Sequence, residues 1–147
     1  MEMKHKTETT LILRRVYDAP PARVFKAWTT KDELSEWYSA ASDFIIHSID
    51  IDLRVGGAMR AVFGPKSGPP IVELDEYLEV VPDKRLVFDV TLTREDTFLS
   101  KTRVTVEFRD IGGGKTEVVL TDVGDDAWEH AQGWRPALDL LERYLAG

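Results

Sequence analysis

From Leu86 to Asp122, apolar and polar residues alternate with a period of two, broken only by short turns. "LVFDVTL" sets Leu86, Phe88, Val90 and Leu92 on one side. "KTRVTVEFRD" sets Val104, Val106 and Phe108 against Arg103, Thr105, Glu107 and Arg109. After the hairpin turn "IGGGK", "TEVVLTDV" sets Val118 and Leu120 inward, with Asp122 following in register. A two-residue period is the period of a strand. The turns are too short to hold a crossover helix, so the strands must run antiparallel. Such a sheet has one wet face and one dry face, and the dry face needs cover. The C-terminal segment can supply it, because Ala127, Trp128, Ala131, Trp134, Leu138, Leu141 and Leu145 form one stripe at helical spacing. That helix is expected to begin near Asp126, with Asp125 or Asp126 as its N-cap. Gly133 would let it approach the sheet closely, and Pro136, lacking an N–H, predicts a kink or restart near 132–136.

The rest of the chain fits around this pairing of sheet and helix. "TTLILRRVYD" (9–18) is β-branched and reads as a first strand. "APPARVFKAWTT" follows with Val24, Phe25 and Trp28 on one helical face, Pro20 or Pro21 suiting its first turn. "TKDELSEWYSA" reads as a second short helix with Thr30 as N-cap and Leu34, Trp37 and Tyr38 on its apolar face. "DFIIHSIDIDLRV" alternates with Ile45, His47, Ile49, Ile51 and Leu53 on one face. The Gly56–Gly57 pair marks a tight turn or bulge, after which Met59, Ala61 and Phe63 share a face. "PKSGPP" is a turn-rich loop. "IVELDEYLEVV" is the next strand, with Leu74, Glu76, Leu78 and Val80 in one register, and "TREDTFLS" reads as a connection. The expected fold class is α+β: a curved antiparallel sheet of six or seven strands around a long C-terminal helix, with two short helices after the first strand. Residues 1–8 are expected to be a flexible tail, and 9–147 a single domain.

Composition narrows the function. A net charge of −7 argues against a nucleic-acid phosphate surface. The absence of cysteine excludes disulfides, thiolate catalysis and Cys-based zinc sites. No apolar run is long enough to span a bilayer. The opening "MEMKHKTETT" has no apolar core of a secretory signal, so a cytoplasmic location is expected.

Five stretches, in this order, resemble a known group: "APPARVFKAWTTKDELSEWY" (19–38), "DIDLRVGGAMR" (50–60), "EYLEVVPDKRLVF" (76–88), "KTEVVLTDVG" (115–124) and "GWRPALDLLERYL" (133–145). They are similar to the SRPBCC superfamily, with the START-like helix-grip fold of the birch-pollen allergens. Within it, they resemble the homologues of the activator of heat-shock-protein-90 ATPase. Many relatives carry a His where this chain has Asp122, and a second Trp where it has Tyr38. The resemblance implies a hydrophobic cavity between a curved sheet and a gripping helix. Members bind lipids, sterols, polyketides or hormones, and a few act as cyclases or hydrolases. The eukaryotic co-chaperone uses a further domain as well, so chaperone activity does not follow from the fold.

The candidate site residues follow from the predicted dry face. The ligand surface is expected to comprise Trp37, His47, Met59, Phe63, Glu76, Phe88, Phe98, Trp134 and Leu138. His47 and Glu76 are the candidates for a general acid/base couple, both falling in apolar registers. No other catalytic residue, no metal site and no cofactor is expected: no His pair shares an element, and "G-x-S-x-G" is absent. His5 lies in the tail and His130 is placed on the helix surface. Phe98 or Leu99 is expected to fold inward as a lid, with 64–70 at the cavity mouth. The leading function is binding of a small apolar or aromatic molecule without catalysis. Alternatives are a hydrolase- or cyclase-type enzyme using inward polar residues, and a protein-interaction module or homodimer. Inward titratable groups around an open cavity favour the enzyme; a wide outer apolar patch, for which Phe44, Ile46, Val62, Tyr77, Val87 and Val119 are the expected residues, would favour the interaction module.

Overall fold

The computed structural model describes residues 7–38 and 44–147, with Phe44 described by its backbone alone. The expected tail of residues 1–8 therefore falls mostly outside the described residues, as does His5. Strand β1 (Glu8–Tyr17) leads into helices α1 (Pro21–Thr29) and α2 (Lys31–Trp37). Six strands follow: β2 (Phe44–Ile51), β3 (Ala58–Pro65), β4 (Ile71–Val81), β5 (Arg85–Arg94), β6 (Thr97–Gly112) and β7 (Lys115–Asp125). A 3-10 turn (Ala127–His130) runs directly into α3 (Ala131–Ala146). The seven strands form one antiparallel sheet in the order β1-β7-β6-β5-β4-β3-β2. This is the helix-grip arrangement, with α3 on the concave face.

The dry face carries the residues that the period-two reading placed there. Leu86, Phe88, Val90, Val104, Val106, Phe108, Val118 and Leu120 are all buried. They meet Trp134, Ala137, Leu138 and Leu141 of α3 and Trp28 and Trp37 of the short helices in one core. Each such aliphatic side chain contributes roughly 1.5–3 kcal/mol on burial. The Trp28 ring lies 4.9 Å from Trp37 and 5.9 Å from Trp134, so the indole of α3 closes an aromatic cluster begun by α1 and α2. At the far end of α3, Arg23 and the Tyr144 hydroxyl both donate to Glu33 Oε1, joining all three helices.

Several expectations are corrected. A bulge between Ile46 and Ser48 inverts the alternation of β2, so Ile46, Ile49 and Ile51 pack on the core while Ile45 and His47 are exposed. In β4 the opposite register holds: Glu73, Asp75 and Tyr77 are buried, and Glu76 and Leu78 are exposed. Paired residues on adjacent strands point the same way. Glu73 lies opposite Ala61 and Leu92, Asp75 opposite Met59 and Val90, and Tyr77 opposite Phe88. Two apolar strands thus hold β4 in a register that its own leucines oppose. A bulge between Tyr77 and Glu79 then turns Val80 back to the core. "TREDTFLS" is a two-residue hairpin rather than a loop, with Glu95 and Asp96 at positive φ. Of the residues expected on the outer face, Tyr77, Val87 and Val119 are buried, and the Phe44 side chain lies outside the described residues.

The last helix also departs in detail. Asp126 stands at the N-cap position of the 3-10 turn, but its carboxylate accepts from the Thr7 N–H instead of capping. The change of helix type comes at residue 131, before Pro136, which α3 carries in its interior.

Candidate functional site

A cavity of about 230 Å³ opens between the sheet and the first half of α3. Its apolar wall comes from Phe63 of β3, Ile71 of β4, Val90 and Leu92 of β5, and Trp134 and Ala137 of α3. Gly133 leaves the helix side of the cavity without a side chain. The segment 64–70 connects two lining residues, Phe63 and Ile71, but none of its own residues lines the cavity. The polar side chains on the wall are Tyr38, Glu73, Asp122, Glu129 and His130.

These polar groups form two connected sets. In the first, Asp122 is fully buried at the end of β7. Its Oδ2 accepts from His130 Nδ1 at 2.7 Å and from Trp134 Nε1 at 3.0 Å. His130 and Trp134 are four residues apart and so share a helix face, which lets both reach one carboxylate. Burial lowers the His130 pKa, but the hydrogen bond and charge of Asp122, helped by Glu73 and Glu129, outweigh it and leave it raised. Asp122 Oδ1 has no partner among the described residues. The far ring nitrogen of His130 lies 3.4 Å from Ser100 Oγ. Ser100, His130 and Asp122 thus follow the order of an acyl-transfer relay. Ser100 is buried and does not line the cavity, however, so a substrate held there would not meet its hydroxyl.

In the second set, the Tyr38 hydroxyl donates to Glu73 Oε2 at 2.6 Å, and Asp75 sits two residues along on the same face. Burial raises the Tyr38 pKa well above its ordinary value, with Glu73 and Asp75 adding to it. Burial also raises Glu73, against the opposing pull of hydrogen bonds from Asp75 and Tyr38 and the charge of His130. Asp75 is raised well above the usual carboxylate range by burial and then by Glu73. As two carboxylates the pair would leave Asp75 Oδ1 with no donor in reach. With one proton between them, Asp75 donates to Glu73 and the repulsion disappears. The proton belongs on Asp75, because Glu73 alone is stabilised by Tyr38 and His130.

The residues predicted from sequence divide three ways. Phe63 and Trp134 line the cavity. Trp37, Met59, Phe88 and Leu138 are buried in the core but do not line it. His47, Glu76 and Phe98 are exposed, which removes the inward His47–Glu76 couple and the Phe98 lid; Leu99 is half-buried and does not line the cavity. Tyr38, Glu73 and His130 were missed. The signal for Glu73 lay in its paired strands, and the signal for His130 in its four-residue spacing from Trp134. Asp122 was placed in the inward register, where it is found, completely buried. Among the described residues, no three His, Asp or Glu side chains are grouped to hold a metal ion.

The comparisons with known proteins agree with this architecture. An uncharacterised protein from Rhizobium leguminosarum shares the fold with a TM-score of 0.85 at 26% identity, over 99% of both chains. A protein from Rhizobium loti gives 0.83 at 26% identity, over 96% of this chain and 99% of its own. An AHSA1-like protein from Aeromonas hydrophila gives 0.76 at 23% identity, over 94% and 92%, a likeness of fold. No protein of curated function matches the chain. The family model described as activator of Hsp90 ATPase homolog 1-like protein matches residues 18–146, from the end of β1 to the end of α3. The chain belongs to the activator of Hsp90 ATPase homolog 1-like family.

Proposed function

We propose that this domain binds a small, largely apolar molecule between the sheet and α3, with Glu73, Tyr38 and the Asp122–His130 pair reading its polar part. The observation that carries this reading is an apolar-walled cavity of about 230 Å³ bordered by buried polar groups. A core built only for stability has no use for such a space, because each unfilled volume forfeits packing energy. The volume bounds the ligand. A dry cavity of about 150 Å³ accepts benzene, and sites for drug-sized molecules run from about 300 Å³. A single substituted ring matches that interval. Titration with small aromatic alcohols, followed by amide chemical shifts, tests the reading. The expected shifts centre on Phe63, Ile71, Val90 and Ala137; shifts absent or confined to the outer face would overturn it.

A second reading, acid–base chemistry on the bound molecule, is favoured by one observation. His130 and Glu73, both titratable, border the same cavity. Asp122 would then hold the imidazole in place, as a positioning residue. A reaction that His130→Gln slows more than it weakens binding would support it. Equal losses in both would leave binding alone.

A further inference from the structure

We infer that the cavity selects a small organic cation, an ammonium group carried on one aromatic ring or a comparably small apolar group, with Glu73 as its counter-ion. The inference rests on the ligand-binding reading above and names the class of ligand.

The first argument is a count of donors and acceptors. Every aromatic or imidazole donor on the cavity wall is already spent. Trp134 Nε1 and His130 Nδ1 donate to Asp122, the other His130 nitrogen faces Ser100, and the Tyr38 hydroxyl donates to Glu73. The acceptors are not exhausted. Glu73 accepts from Tyr38 on Oε2 and also from Asp75, two hydrogen bonds among the described residues. A carboxylate offers about four lone-pair positions, so the wall asks its ligand for a donor.

The second argument is charge. A protonated His130, 2.7 Å from Asp122, offsets the charge of that carboxylate. Among the described residues, what remains on the wall is the carboxylate of Glu73, hydrogen-bonded to Asp75, together with Glu129, and neither Lys nor Arg lines the cavity beside them. A buried unpaired charge is costly, and a ligand ammonium would relieve that cost where a neutral hydroxyl would relieve less of it. An anion would double it. Third, the Tyr38 and Trp134 rings border the same space, 6.0 Å apart and nearly perpendicular, and aromatic walls favour cations. The net charge of −7 draws a cation toward the protein in the first place.

The test is a matched series at neutral pH: benzylammonium, benzyl alcohol, toluene and benzoate, titrated into the full chain and followed by amide chemical shifts. Benzylammonium is expected to bind about tenfold or more tighter than benzyl alcohol, as one charge-assisted hydrogen bond implies. In Glu73→Gln that advantage should disappear while benzyl alcohol still binds. Tyr38→Phe keeps the carboxylate and frees its second oxygen, so the preference for the cation should survive there. Equal affinities across the series, or a preference for benzoate, would overturn the cation inference and leave the cavity reading standing. Binding of none of the four would overturn both. Should Glu73→Gln not fold, the ligand series on the unaltered chain and on Tyr38→Phe still decides.

Discussion

Asp75 shows how one residue ties stability to pH. Burial and Glu73 raise its folded-state pKa, so the folded protein holds its proton to higher pH than the unfolded chain. Its stabilising contribution is complete below the unfolded value of about 4 and fades as pH rises through the raised value. Glu73 has the same sign, and so does His130, whose contribution is complete below about pH 6.5 and fades above it. Stability should therefore fall between pH 5 and pH 8. Asp75→Asn removes the ionisation and gives Glu73 a permanent donor, so it should stabilise at pH 8 by roughly 1–2 kcal/mol and flatten the profile. Urea midpoints across this range check it; a destabilised Asn variant at pH 8 would contradict the shared proton. Trp134 has two roles, filling space and donating to a buried carboxylate. Trp134→Phe should cost about 2 kcal/mol, chiefly the lost bond to a charged group, and Trp134→Ala about 3–5 kcal/mol. A Phe variant with an unchanged denaturation midpoint would show that His130 alone suffices for Asp122.

At the scale of elements, α3 carries a glycine where its propensity is worst. A glycine inside a helix costs about 1 kcal/mol relative to alanine, and Gly133 faces the cavity. Gly133→Ala should raise Tm by about 3 °C and weaken binding of benzyl alcohol, because the added methyl takes ligand space. A variant that is more stable and binds as before would place the ligand elsewhere. The strands show what was legible. β5, β6 and β7 alternate cleanly in sequence, and their dry faces follow that alternation. β2 and β4 each contain a bulge, and one extra residue turns every later side chain to the other face. One alternation therefore cannot be carried through either strand: counted back from Ile49 and from Val80 it puts His47 and Glu76 inward, and both are exposed. No local pattern marks where a bulge falls; the partner strand decides it. His130 differs: its four-residue spacing from Trp134 does mark it as inward, and both side chains reach Asp122.

The whole molecule closes on itself through its most distant pairing. Tyr17 of β1 lies opposite Thr116 of β7, so the sheet is complete only when the first strand finds the last. Non-local pairing of this kind is slow, because loop-closure entropy is lost before contacts compensate it. Refolding followed by tryptophan fluorescence should fall in the millisecond-to-second range rather than in microseconds. The sequence by itself determined the antiparallel sheet, the helices around it and the aromatic core, since period-two and helical spacing are local and repeat over many residues. It also carried the family likeness, through five stretches in order. Only the tertiary structure decided the site. Glu73 and Asp75 are inward because Met59, Ala61, Val90 and Leu92 on the adjacent strands are inward, against the preference of β4's own leucines. Asp122 became a buried hydrogen-bond acceptor because the 3-10 turn and α3 bring His130 and Trp134 onto it. A buried polar group is stable only beside its partners, and those partners lie on other elements, beyond the reach of any local pattern.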